Sequence, residues 1–101
     1  PQAKVPAIAQ AVQSAQSAEA IVNQGLQYIQ QGNLEQAIAA FQQAAQIDPK
    51  MAAAHYNLGL ALRQKGQLQP AASAFYKATQ ADPQFALAYA NLGAALLEGS
   101  N

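Results

Sequence analysis

Asn23, Asn57 and Asn91 stand 34 residues apart, and Gly25, Gly59 and Gly93 keep the same interval. So do the pairs Gly32 and Gly66, Ala37 and Ala71, Phe41 and Phe75, and Pro49 and Pro83. A chain that repeats at this period folds as stacked supersecondary units, because no unit can bury its apolar face alone. Residues 52–85 form the complete copy; residues 18–51 read as a second, and residues 86–101 as the opening of a third.

Each copy holds two helical patterns. Ile21, Gly25, Tyr28 and Ile29 mark one face of a first helix that stops near Gly32 and Asn33. Leu34, Ala37, Ile38, Phe41, Ala44, Ala45 and Ile47 mark the second, which stops at Asp48 and Pro49. The cycle recurs through His55, Leu58, Gly59 and Leu62, a stop at Gly66, and then Leu68, Ala71, Phe75, Ala78 and Ala81 up to Asp82 and Pro83. Asp48 and Asp82 are read as N-caps of the next unit, with proline in the first helical turn. Glycine inside a helix costs about 1 kcal/mol relative to alanine, so Gly25, Gly59 and Gly93 need a packing reason. The reading is a small Gly–Ala contact with Ala37 or Ala71, and a phenylalanine ring filling the space beside it.

Residues 1–17 depart from the repeat. Val5, Ile8, Ala9 and Val12 recur at helical steps, but a large residue and a proline turn are missing at the repeat positions. This segment is either a capping helix or a continuous extension of the first repeat helix.

Composition excludes several classes of function. Charged residues are only 10% of the chain and the formal net charge is zero, which is not the electrostatic footprint of a nucleic-acid binder. No run of about 18 apolar residues exists to span a membrane. With no cysteine there is no disulfide or thiolate site, and the compartment is not legible. The chain begins at Pro1, without methionine or a signal-peptide pattern, and reads as a processed or excised piece.

The succession of a large residue, Leu-Gly, a large residue, Ala, an aromatic and Pro resembles the tetratricopeptide repeat. In the second unit it is carried by His55, Leu58, Gly59, Leu62, Ala71, Phe75, Ala78 and Pro83. In the first it is Ile21, Gln24, Gly25, Tyr28, Ala37, Phe41, Ala44 and Pro49, and in the third Tyr89, Leu92, Gly93 and Leu96. Gln24 stands where leucine is usual, and Ile21 and His55 where tryptophan is frequent. The resemblance implies an all-α fold of antiparallel helix-turn-helix repeats stacked as a right-handed α-solenoid. The first helix of each pair would line a concave groove that binds a peptide or protein segment.

By that resemblance the groove positions include Val22, Asn23 and Leu26 in unit one, Tyr56, Asn57, Leu60, Arg63 and Gln64 in unit two, and Asn91, Leu97 and Glu98 in unit three. The peptide-binding residues are read as Asn23, Tyr56, Asn57, Leu60, Arg63, Gln64 and Asn91. A side-chain amide offers both donor and acceptor, so a ladder of asparagines suits the main chain of an extended peptide. Similar ladders line the repeats of O-linked N-acetylglucosamine transferases, though asparagine is also common here for packing. The carboxylate clamp of chaperone-binding members needs lysine or arginine where this chain has Val22, Leu87 and Asn91, and is disfavoured.

No catalytic residue, metal ligand set or cofactor site can be assembled. His55, the only histidine, sits at a packing position and is read as structural. The remaining readings are a repeat segment that stacks without a bound peptide, and the docking part of a larger enzyme. Leu92, Gly93 and Leu96 lie on the face that a second helix covers in the first two units. The expectation is therefore that the native protein continues with more repeat, and that this chain self-associates through its last helix.

Overall fold

The computed structural model describes residues 17–100, which form five α-helices: α1 Ala18–Gln30, α2 Leu34–Ile47, α3 Ala52–Gln64, α4 Leu68–Ala81 and α5 Ala86–Gly99. No strand occurs among them. The reading of residues 1–16 as a helix lies outside the described residues.

Local chemistry sets the helix ends. At the end of α1, Gly32 adopts φ 81°; its N–H reaches Ile29 O at 3.0 Å, and the Asn33 N–H reaches Tyr28 O at 2.8 Å. At the end of α3 the pattern recurs: Gly66 has φ 87°, its N–H donates to Arg63 O at 2.9 Å, and Gln67 N–H donates to Leu62 O at 2.9 Å. These paired bonds satisfy carbonyls the helix would leave open, and the left-handed backbone is one that glycine adopts without steric cost. Each turn reverses the chain and makes an antiparallel pair.

The Asp-Pro junctions are built differently from the sequence reading. The residues that precede α3 and α5 are Met51 and Phe85, and neither aspartate caps a helix. Instead Asp48 Oδ1 accepts from the Lys50 N–H and Asp82 Oδ1 from the Gln84 N–H, each at 3.1 Å. Met51 N–H also donates to Asp48 O, and Phe85 N–H to Asp82 O. These are β-turns with aspartate first and proline second, where proline's fixed φ is already suited. The helix therefore starts later than a cap at aspartate would place it.

Phe41 and Phe75 are the largest fully buried side chains and centre the core. Around them Ala37, Ala44, Ala71 and Ala78 are completely buried. The glycines are explained by the rings themselves. A Cβ at Gly25 would overlap the Phe41 ring, and one at Gly59 would sit 2.6 Å from Phe75 Cε1. The ring thus lies directly on the glycine, and the alanine is not the contact that requires it. Gly93 has nothing within 4 Å of the equivalent position.

Consecutive helices pack on one another along the chain, and the first helices also meet directly, α1 with α3 and α3 with α5. The second helices α2 and α4 make no such approach. Close spacing on one side and splaying on the other curve the stack, so α1, α3 and α5 form its inner face and α2 and α4 its outer face. His55 is buried at the junction, with Nε2 at 2.8 Å from Pro49 O; in the neutral ring this N–H donates, tying α3 to the preceding turn.

Candidate functional site

A hollow of about 520 Å³ opens on the inner face, lined by Leu26 and Ile29 of α1, Asn57, Leu60, Ala61, Arg63 and Gln64 of α3, Glu98 of α5 and the Phe41 ring of α2. Helical spacing brings this about: residues three and four apart on α1 and α3 point the same way, and the repeat sets the two helices side by side. Leu26 is 40% exposed. The floor is apolar and the rim carries amides.

The groove cation is not free. Arg63 Nη2 and Nε donate to the two carboxylate oxygens of Glu98 at 2.6 and 3.1 Å, and Nη1 donates to Asn91 Oδ1 at 2.9 Å. The two hydrogen bonds to one carboxylate form a fork that clamps α3 to α5. Hydrogen bonding to Arg63 holds the Glu98 carboxyl below its ordinary value, and the same bond raises the already high Arg63 value. This pairing was not read from the sequence. The signal available was the placement of both residues at groove positions of adjacent units, 35 residues apart.

Of the seven residues read as peptide-binding, Asn57, Leu60, Arg63 and Gln64 line the hollow together. Tyr56 lies to one side, its ring 4.8 Å from that of Phe85 and 5.9 Å from that of Phe75. Asn91 is engaged at both ends: Oδ1 by Arg63, and Nδ2 by Leu87 O at 2.9 Å and more weakly by Tyr56 Oη at 3.4 Å. Asn57 Nδ2 donates to Ala53 O at 2.9 Å, which leaves its Oδ1 without a partner among the described residues. Asn23 is exposed on α1, outside the hollow, and Val22 is buried in the core.

A second hollow, about 970 Å³, opens on the outer face between α2 and α4, where the sequence reading placed no site. No cluster of three His, Cys, Asp or Glu suited to a metal occurs among the described residues. No helix among them is long and apolar enough to cross a membrane.

Antiparallel helix pairs stacked at a fixed interval, with first helices sharing a groove, define an α-solenoid of the helical-repeat class. Within that class the chain is a tetratricopeptide repeat protein. A family model described as a TPR repeat matches residues 25–66, and one described as a tetratricopeptide repeat matches residues 52–85. Members of this family are in general non-catalytic modules of protein interaction.

Solved structures agree in fold. A crystal structure of MamA superposes with a TM-score of 0.80 at 31% identity, over 83% of this chain and 49% of that one. Another of the MamA protein gives 0.75 at 33% identity, over 78% of this chain and 43% of that one. The chain thus spans about half the length of the MamA chains it matches. The second TPR domain of Spaghetti (RPAP3), bound to the HSP90 peptide SRMEEVD, gives 0.82 at 22% identity, over 90% of this chain and 84% of that one. A comparison with curated protein sequences finds no match.

Proposed function

We propose that the inner groove holds an extended, largely uncharged protein segment, with an apolar side chain seated on Leu26, Ile29 and Leu60 and its main chain against Asn57 and Gln64. The observation that carries this reading is the apolar floor of exposed Leu26 and half-buried Ile29 and Leu60, lined together with the amides of Asn57 and Gln64 in the 520 Å³ hollow. Apolar anchors supply affinity by leaving water, and amides that both donate and accept suit a peptide backbone of any sequence. Because Arg63 is already paired with Glu98, an acidic segment gains little there without breaking the pair. A bound HSP90 peptide in the RPAP3 domain is consistent with peptide capture on this fold.

The test is a peptide array followed by calorimetric titration of a selected segment. Leu60→Ala should cost about 1–3 kcal/mol of binding, and Gln43→Ala on exposed α2 almost nothing. Leu60 and Asn57 are the better probes, since Tyr56 also packs between Phe75 and Phe85 and its removal disturbs the fold. Equal losses from both helices would overturn the reading.

A further inference from the structure

The cations among the described residues divide into paired and unpaired. The described residues include four cations, Lys50, Arg63, Lys65 and Lys77. Arg63 is paired with Glu98 and Lys65 with Glu35. Lys50 and Lys77 have no ion pair among the described residues, and both line the outer hollow. No carboxylate lines it. The aspartates nearest along the chain, Asp48 and Asp82, direct Oδ1 back into their own turns.

The rest of the hollow is built to take side chains. Its floor is apolar, with half-buried Leu58 beside the buried side chains of Leu62 and Ala74, where α2 and α4 diverge. Tyr76 stands at its edge, 54% exposed, with its hydroxyl accepting from Gln80 Nε2 at 3.2 Å. At about 970 Å³ the space exceeds that of the inner groove.

We propose that this outer cleft is a second docking surface, for an acidic protein segment whose carboxylates meet Lys50 and Lys77 and whose apolar side chain enters between α2 and α4. Unpaired positive charge around an apolar floor selects for both features at once, since charge complementarity guides the encounter and apolar burial holds the complex. The surface is independent of the inner groove, where positive charge is already neutralised.

The test uses the whole chain and a labelled peptide of repeated Glu-Glu-Leu triplets, followed by fluorescence anisotropy at low salt. The acidic peptide should bind, and its Gln-Gln-Leu counterpart should bind at least about tenfold more weakly. The double variant Lys50→Glu, Lys77→Glu should lose about tenfold or more, with an unchanged helical circular dichroism spectrum. Leu60→Ala, in the inner groove, should leave binding of this probe intact. Retained affinity in the lysine variant, or loss in Leu60→Ala instead, would overturn the proposal. So would equal binding of polyglutamate or short duplex DNA, which would reduce the cleft to a plain positive patch.

Discussion

At the scale of single residues, the groove is ordered by one forked contact. Arg63 holds Glu98 by two hydrogen bonds and orients Asn91 with a third. The folded-state value of Glu98 is lowered, so the contact stabilises the fold above the ordinary carboxylate pKa and that stability is lost as pH falls through the folded value. Thermal unfolding of wild type and Glu98→Gln should therefore differ at neutral pH and converge on acidification below about pH 4. High salt should narrow the difference as well, because both side chains are partly exposed. A gap that persists in acid would mean that Glu98 contributes through packing and not through charge.

At the scale of helices, three glycines of the repeat have three different jobs. Gly59 lies under the Phe75 ring, Gly66 ends α3 with a left-handed backbone, and Gly93 faces open space. Alanine at each separates the roles. Gly59→Ala should destabilise, because the ring must move; Gly66→Ala should cost about 1–2 kcal/mol from backbone strain. Gly93→Ala should instead stabilise by up to about 1 kcal/mol, since helix propensity improves and nothing is struck. Chemical denaturation of the three variants reads out all of these signs. A loss at Gly93 comparable to that at Gly59 would show that its face is covered in solution.

At the scale of the whole molecule, the last helix leaves apolar surface uncovered. Leu96 is 57% exposed and Tyr89 49%, beside the open position at Gly93. In the two complete units the same register is filled by Phe41 or Phe75. We propose that this apolar strip, with its aromatic-sized gap, is where a second copy of the chain associates. Light scattering over a concentration series should show a rising mass that Leu96→Glu suppresses. A mass that stays at 10.5 kDa at every concentration would reject self-association.

The sequence by itself determined the helical repeat. A 34-residue interval, helix-period apolar positions and glycine or proline stops are local signals, and they act through neighbouring residues whatever the distant context. It also brought Asn57, Leu60, Arg63 and Gln64 to one face, because a helix fixes their directions. Only the tertiary structure decided which partner each group meets. Phe75 covers Gly59 itself, Arg63 is spent on Glu98 and Asn91, and Asp48 turns back to Lys50 instead of capping α3. The spacing between helices also lay beyond the sequence pattern: α2 and α4 diverge while α1 and α3 meet, and that opens the cleft holding Lys50 and Lys77. Such outcomes depend on the competition among contacts in three dimensions, where the volume of a ring or the reach of a guanidinium settles what periodicity leaves equal.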